Sequence, residues 1–116
     1  MIRGIVVRGK GEGKRVFGYP TANLDITQKQ IKLAPGVYAA TTIFNEKEYN
    51  SALIIVENPF VVEVHLLDFT EDLYDKLLEV VPIQKVSGIE KLAESELIKK
   101  IVEDIKRVRE VFEEEQ

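Results

Sequence analysis

The chain has 116 residues, of which 45% are hydrophobic and 31% are charged, and its formal net charge at pH 7 is −4. This length and composition are typical of a single globular domain, here residues 1–116, whose core is large enough to need no disulfide or metal staple. Because the chain has no cysteine, a disulfide framework and thiolate zinc sites are excluded. The negative net charge argues against non-specific nucleic-acid binding, so we expect no nucleic-acid partner.

The sequence gives no sign of export or membrane insertion. Residues 1–13 contain no long apolar run, which indicates that there is no signal peptide. No window approaches the roughly 20 apolar residues of a membrane-spanning helix. We therefore expect a cytoplasmic protein without a membrane partner.

The first half of the chain has the pattern of strands separated by glycine-rich and polar segments. Ile2–Arg8 is β-rich and ends at glycines, which predicts a strand, and Gly9–Pro20 is predicted to be a loop. Gly36–Phe44 carries apolar side chains on both faces, which predicts a strand covered on both sides. Tyr49–Val56 is a further strand, and the turn at Asn45–Lys47 predicts that the two form a hairpin.

Two more strands are predicted after the hairpin. Asn58-Pro59 breaks the chain. Val61–Phe69 then has a strong strand pattern, and Leu77–Gln84 is another strand, in which Pro82 indicates an edge or a bend.

An apolar stripe predicts a long helix near the end of the sequence, with Ser95 as its N-cap. The members of the stripe recur three or four residues apart and are Leu97, Ile101, Ile105, Val108 and Phe112. This spacing is typical of a helix of about five turns with one face on a core. Opposite charges at i,i+4 on the other face agree with a helix; they are Glu96–Lys100, Glu103–Arg107, Lys106–Glu110 and Arg109–Glu113. Several short strands and one closing helix favour a small antiparallel barrel with the helix packed on it.

The sequence GKGEGKRVFGYPTAN at residues 9–23 is the candidate for phosphate binding. It is not a GxGxxG motif, because residue 14 is lysine, and it is not a Walker A motif, because Gly13-Lys14 is followed by Arg15. The pattern indicates a loop whose backbone N–H groups can converge on an anion, with Lys10, Lys14 and Arg15 adding positive charge. The alternative is a mobile surface hairpin with solvated charges.

Thr21 and Asn23 are candidate metal ligands. Residues two apart in an extended segment point the same way, so their side-chain oxygens form a pair. Mg²⁺ prefers hard oxygen ligands and is often shared with substrate phosphates. Pro20 stiffens the approach to this pair. The alternative is a turn in which both side chains bond their own backbone.

The strand sequence VVEVHLLDF supplies a carboxylate. Glu63, His65 and Leu67 share one face of this strand, and the other face is apolar up to Asp68. Glu63 is therefore a candidate proton acceptor on a rigid element. The alternative is a half-solvated strand whose polar residues face water.

Taken together, five stretches resemble the ATP-dependent riboflavin kinases of the bacterial and eukaryotic type. They are GYPTANL at 18–24, PGVYA at 35–39, NPF at 58–60, VEVHLLDF at 62–69 and DLY at 72–74. The resemblance extends from Gly4 to about Arg109. In bacteria this domain is often fused behind an adenylyltransferase domain, so a chain that starts at the kinase domain is expected to be a stand-alone or excised version.

The resemblance implies a mainly β fold, a six-stranded antiparallel Greek-key-like barrel with a C-terminal helix. It implies that Glu63 accepts the proton of the riboflavin 5′-hydroxyl and that Thr21 and Asn23 hold Mg²⁺ together with ATP. The implied nucleotide-binding residues are Gly9, Lys10, Gly11, Gly13, Lys14, Gly18, Pro20, Thr21 and Asn23. The expected partners are riboflavin or FMN and ATP or ADP, and the domain is expected to be a monomer. The flavin ring is expected against the segment Leu66–Tyr74 and the last helix.

The sequence departs from the family pattern at two places. The link between Phe60 and the strand of Glu63 is shorter than in the family, and Ser87 occupies the position of a family arginine near the ligands. Loss of a guanidinium weakens flavin or phosphate contacts, and Lys85 is the basic residue expected to substitute for it. These departures leave three alternatives open: weaker affinity, another nucleotide donor such as CTP, and a flavin- or nucleotide-binding module without turnover. A small barrel that binds single-stranded nucleic acid is a separate alternative, which the acidic net charge disfavours.

Overall fold

The computed structural model describes residues 1–8 and 21–114 of the chain. The elements, in chain order, are β1 (Ile2–Val7), β2 (Ala22–Leu24), a 3-10 turn (Gln28–Gln30), β3 (Gly36–Phe44), β4 (Lys47–Val56), β5 (Val61–Leu66), β6 (Leu77–Ser87) and α1 (Glu94–Glu114). The predicted loop Gly9–Pro20 lies outside the described residues.

The six strands form a closed barrel in the order β1-β2-β5-β4-β3-β6, and every neighbouring pair is antiparallel. This confirms the mainly β fold with one C-terminal helix. The strand that the residue pattern did not predict is β2, which pairs with β1 on one side and with β5 on the other. With only three residues, β2 is too short to show a periodicity, yet it closes the barrel.

The β3–β4 hairpin closes through a two-residue turn. Phe44 and Lys47 are paired, and the two residues between them, Asn45 and Glu46, have φ angles of 53° and 67°. Positive φ at both central positions is the hallmark of a type I′ turn, whose twist matches that of the flanking strands. The turn therefore begins where the sequence predicted, and β4 begins at Lys47.

Two strand ends differ from the predictions, each for a local reason. β5 ends at Leu66 and not at Phe69, because Asp68 adopts a left-handed backbone with a φ of 58°. β6 continues through Pro82 to Ser87. Its pairing with β3 shifts register at a β-bulge beside Pro82, so the ladder does not need the N–H that proline lacks. The pairing of β6 with β1 reaches only Val80, so Pro82 lies beyond it.

The barrel separates two apolar cores. The residues that fill the barrel interior include Val6, Leu24, Tyr38, Leu53, Ile55, Val62, Val64, Leu66, Leu78 and Val80. The second core lies between the outer face of the barrel and α1; its buried members are Val37, Ala39, Ala52, Leu67, Ile105, Val108, Val111 and Phe112. The predicted helical stripe thus packs on the outside of the barrel, and the small side chains on β3 and β4 allow the helix to approach closely.

The polar contacts of α1 correct part of the predicted pairing. The helix begins at Glu94, so Ser95 lies inside its first turn and is not the N-cap. Glu103 and Arg107 pair as predicted, with 3.6 Å between Oε1 and Nε. Lys100 pairs with Asp104 instead of Glu96. In the part of the chain that the structure describes, no helix combines the length and the apolarity needed to cross a membrane.

Candidate active site

One row of paired residues crosses the outer face of the barrel over five strands. Going from β2 through β5, β4 and β3 to β6, each residue is the direct cross-strand partner of the next: Asn23, Glu63, Ile54, Val37 and Ser87. We call this set the outer row. Because directly opposed residues share a face of the sheet, all five side chains point away from the barrel interior, and α1 packs over the β3, β4 and β6 part of this outer face.

The outer row places the predicted metal ligand beside the predicted base. Asn23 and Glu63 are directly opposed on β2 and β5, and such partners have Cβ atoms about 5 Å apart. Thr21 lines the same cavity as Glu63. Both Thr21 and Asn23 are partly exposed, while Ala22 between them is buried in the barrel. The structure therefore brings Thr21, Asn23 and Glu63 together on one side of a closed sheet.

Next to these residues lies a cavity between the sheet and the first half of α1. From Ile105 onward the helix packs tightly on the barrel, whereas its earlier turns form one wall of the cavity. The aliphatic lining consists of Val37, Ala52, Ile54, Val56, Ile89, Leu97, Ile101 and Ile105. The cavity volume is about 210 Å³, below the roughly 300–1,000 Å³ of pockets for whole drug-sized ligands. It suits one ring system of a ligand rather than a complete nucleotide.

A buried polar cluster interrupts the aliphatic wall on the helix side. The Lys100 ammonium donates to Asp104 Oδ2 at 2.6 Å and to Ser87 Oγ at 3.1 Å. The side chains of Lys100 and Asp104 are only 14% and 7% exposed, and both line the cavity. Burial of two charges is costly unless they are paired and hydrogen-bonded. Separating Lys100 from Asp104 would therefore be unfavourable, and this fixes the positions of both side chains.

The sequence interpretation missed this cluster, although a signal for it exists. Lys100 and Asp104 are four apart, and each lies three residues after a member of the apolar stripe, Leu97 or Ile101. They therefore border the buried face instead of the solvent face. Lys85, which was expected to replace the family arginine, is exposed on β6 and does not line the cavity. The segment Leu66–Tyr74, expected at the flavin ring, contributes no lining residue either.

His65 and Asp68 continue the β5 side of the site toward the end of α1. His65 is 7% exposed, and its cross-strand partner is Ala52 on β4. Both carboxylate oxygens of Asp68 accept hydrogen bonds from Arg109, at 3.1 and 3.2 Å. The hydrogen bonds and the charge of Arg109 hold the pKa of Asp68 below its usual range, and His65 adds a smaller effect in the same direction. This ion pair ties the loop after β5 to the helix.

The donor set fits magnesium better than a metal that needs several charged ligands. Within residues 1–8 and 21–114 no group of three His, Cys, Asp or Glu side chains is arranged to hold a metal ion. Thr21 and Asn23 offer neutral oxygens, and Mg²⁺ is commonly bound by few protein ligands plus substrate phosphates. The other predicted nucleotide-binding residues lie outside the described residues; they are Gly9, Lys10, Gly11, Gly13, Lys14, Gly18 and Pro20.

A closed six-stranded antiparallel barrel thus carries the neutral side-chain oxygens of Thr21 and Asn23 on the same side as the Glu63 carboxylate, beside an apolar cavity. The family model described as "Flavokinase: Riboflavin kinase" matches residues 1–112. The chain therefore belongs to the riboflavin kinase family, as its sequence motifs predicted.

Two curated relatives are bifunctional riboflavin kinase/FMN adenylyltransferases. The protein from Mycoplasma pneumoniae is 32% identical over 117 residues, which covers 94% of this chain and 41% of the relative. The protein from Escherichia coli K12 is 35% identical over 119 residues, which covers 96% of this chain and 37% of the relative. This chain thus spans about two fifths of the length of these relatives.

Solved structures confirm the fold. Riboflavin kinase from Trypanosoma brucei superimposes with a TM-score of 0.65 at 21% identity, covering 96% of this chain and 78% of the other. A crystal structure described as a macrolide-efflux protein from Streptococcus pneumoniae superimposes with a TM-score of 0.82 at 27% identity, covering 92% of this chain and 37% of the other.

Proposed function

We propose that this domain is an active riboflavin kinase, which transfers the γ-phosphoryl group of ATP to the 5′-hydroxyl of riboflavin and releases FMN and ADP. The observation that carries the proposal is the direct opposition of Asn23 and Glu63 on the outer row, beside a cavity that Thr21 also lines. The family to which the chain belongs supports the choice of substrate.

The site has two ends that suit the two ends of riboflavin. The flavin ring needs an apolar slot with a few polar contacts, which the cavity under α1 offers. The sugar-alcohol chain then runs along the sheet toward Glu63, so that its terminal hydroxyl lies next to Asn23 and Thr21. The triphosphate of ATP approaches from that same end, where the glycine-rich residues 9–18 precede Thr21 in the sequence.

Glu63 acts as the base. Its carboxylate accepts the proton of the 5′-hydroxyl while the hydroxyl oxygen forms a bond to the γ-phosphorus and the bond from that phosphorus to the bridging oxygen of ADP breaks. Most of the catalysis in phosphoryl transfer comes from positioning and from neutralising phosphate charge. A carboxylate fixed in the middle of a barrel strand, paired on both sides, meets the positioning requirement.

Thr21 and Asn23 would hold Mg²⁺ through their side-chain oxygens. When bound there, the ion neutralises the charge of the ATP phosphates. These two residues are the only protein groups that we assign to it. The remaining negative charge of the phosphates is neutralised by Lys10 and Lys14, the lysines of the glycine-rich segment.

The test is a direct assay of the purified domain. Riboflavin is incubated with ATP, CTP, GTP or UTP, with and without Mg²⁺, and FMN is separated by chromatography. We expect FMN with ATP only when a divalent ion is present. Saturable riboflavin binding without FMN from any of the four nucleotides would instead identify a flavin-binding module without turnover.

We further propose that residues 1–116 act as a single kinase domain, monomeric and in the cytoplasm. The described strands close into a barrel and leave no edge open for pairing with a second copy. Sedimentation velocity at micromolar concentration checks this. A dimer would contradict the proposal.

A further inference from the structure

We propose that Lys100 is the specificity residue for the flavin ring: its ammonium donates a hydrogen bond to an acceptor on the pyrimidine edge of the ring. This inference rests on the proposed flavin substrate but not on turnover. It concerns Lys100, together with Ser87 and Asp104, for which neither the family match nor the relatives supply a role.

The hydrogen bonds of Lys100 leave it one donor for a ligand. An ammonium group has three N–H donors, and among residues 1–8 and 21–114 the acceptors of Lys100 are Asp104 Oδ2 and Ser87 Oγ. These account for two donors, and Lys100 lines the cavity. The third N–H is therefore available to an acceptor that enters the cavity.

The position of Ser87 explains why the positive charge in the cavity is carried by Lys100 of α1 and not by a residue of β6. Ser87 is the last member of the outer row, and its hydroxyl accepts from Lys100. A longer basic side chain at position 87 would occupy the place that the Lys100 ammonium now fills. The charge is thus supplied by α1, and Asp104, one turn further along, fixes it there.

The charges around the cavity decide which chemical group Lys100 can recognise. Glu63 lies at the other end of the outer row; among the remaining described lining residues, Lys100 is the one cation beside two carboxylates, Glu90 and Asp104. A phosphate brought to this end would meet net negative charge. A neutral ring that offers carbonyl or ring-nitrogen acceptors does not carry this penalty, and it gains a hydrogen bond from a charged donor.

The distance along the sheet also fits an elongated ligand. Glu63 and Ser87 are separated by three strand spacings on the outer row, a path of about 14 Å along the curved sheet, and Glu63 and Lys100 line the same cavity. Riboflavin has its terminal hydroxyl at one end and the pyrimidine edge of the ring at the other. With the hydroxyl at Glu63, the ring lies over Ile54 and Val37, and its far edge reaches Lys100.

The experiment uses lumiflavin, which has the same ring but no sugar-alcohol chain and so cannot be phosphorylated. Binding of lumiflavin and of riboflavin to the full chain is followed by quenching of flavin fluorescence. In Lys100→Met we expect both ligands to bind about tenfold to a hundredfold more weakly, as for loss of one charged hydrogen bond. The KM for riboflavin rises by a similar factor, while kcat and the KM for ATP change less than about twofold.

Matched variants separate recognition from structural damage. Lys99→Met removes an exposed lysine on the same helix and is expected to bind lumiflavin like the parent. Lys100→Met leaves Asp104 without its cation, so the double variant Lys100→Met/Asp104→Leu removes both charges from the buried site. If the double variant recovers the folding temperature but not the lumiflavin affinity, Lys100 recognises the ring. If it recovers both, or if Lys100→Met binds lumiflavin normally, the inference is wrong.

The outcomes also distinguish this inference from the proposed function. A domain that binds lumiflavin through Lys100 but forms no FMN would refute the kinase activity and leave the inference intact. A domain that forms FMN but loses lumiflavin affinity in Lys85→Met, and not in Lys100→Met, would assign the ring contact to β6. A parent domain that binds riboflavin but not lumiflavin would show that the ring is not recognised, which overturns the inference.

Discussion

Glu63 and Asn23 lie directly opposite each other in the β5–β2 ladder, and their side chains share the outer face of the barrel. The two residues are forty positions apart in the chain, so their contact depends entirely on the closure of the barrel by β2. Both flanking strands fix Glu63, which pairs with Ile54 on its other side. A carboxylate held in this way has little freedom to leave its position, so its proposed role as the base can be tested by small changes of the side chain.

Glu63→Gln should abolish turnover while binding survives. The amide keeps the size of the side chain but cannot accept the hydroxyl proton, and loss of a general base typically costs about 10² to 10⁴ in rate. Steady-state FMN formation gives kcat, and fluorescence quenching gives the riboflavin affinity, which should change only a few-fold. Glu79→Gln is the control, because Glu79 lies on β6 in an exposed ion pair with Arg3. A near-normal rate in Glu63→Gln would remove the base assignment.

Asn23→Ala should raise the Mg²⁺ concentration that gives half-maximal activity by about tenfold, since one neutral oxygen ligand is lost. High Mg²⁺ should restore most of the rate, because the carboxylate at Glu63 remains. The activity is measured as a function of free Mg²⁺ at saturating ATP. Asn50→Ala, an exposed asparagine on β4, serves as the control. An unchanged Mg²⁺ dependence, with activity lost at every concentration, would point to a role for Asn23 other than metal binding.

The sequence predicted the strands with strong local patterns and missed what depends on long-range pairing. Gly36–Phe44 forms β3 with the predicted ends, and the stripe from Leu97 to Phe112 faces the barrel, lining the cavity in its first half and buried in its second. β2 was missed because its three residues become a strand only through their two neighbours. The opposition of Asn23 and Glu63 has the same origin, so no periodicity could have revealed it.

The polar cluster of the cavity shows a second limit of sequence reasoning. The i,i+4 rule allows Lys100 to pair with either Glu96 or Asp104, and the two pairs have similar intrinsic energies. Burial decides between them, because Asp104 lies against the barrel and Glu96 is exposed. Which acid is buried depends on how the helix is rotated on the sheet, and that rotation is set by packing on Ala39 and Ala52.

Gly36→Ala should destabilise the domain and weaken flavin binding together. A Cβ at position 36 would lie 2.6 Å from Lys85 Cε and 2.9 Å from the backbone oxygen of Ser87. The lysine chain can move away, but the carbonyl belongs to β6, so the strand itself must shift. Overpacking of this kind typically costs about 1–3 kcal/mol, measured by urea unfolding. Gly88→Ala is the control, because a Cβ there has no neighbour within 4 Å.

Glu46→Gly should stabilise the domain. Glu46 has a φ of 67° in the turn between β3 and β4, and a left-handed conformation costs a side-chain-bearing residue about 1–2 kcal/mol. Glycine removes this strain but adds entropy to the unfolded chain, so we expect a net gain of roughly 0.5–1 kcal/mol. Thermal unfolding measures the gain. Glu48→Gly, in the adjoining strand, should destabilise instead, and equal effects of the two changes would refute the turn argument.

The pair formed by Asp68 and Arg109 should stabilise the domain only above the acid range. Because Arg109 lowers the pKa of Asp68 from its ordinary value of 3.8, the folded state binds the Asp68 proton more weakly than the unfolded state does. The stabilisation is therefore fully present above the ordinary carboxyl pKa and is lost as the pH falls through the lowered value. Both side chains are largely exposed, so the effect is small and salt-sensitive.

A double-mutant cycle isolates this contribution. The free energy of unfolding is measured for the parent, Asp68→Asn, Arg109→Met and the combination, at pH 7 and at pH 3 or below. We expect a coupling between the two positions at pH 7 that shrinks at acid pH and in high salt, since protonation removes the charge of Asp68 and salt screens it. A coupling that persists unchanged at low pH would mean that the two residues interact through packing or neutral hydrogen bonds. In that case the loop after β5 would be tied to α1 independently of charge, and its attachment to the helix would not respond to pH.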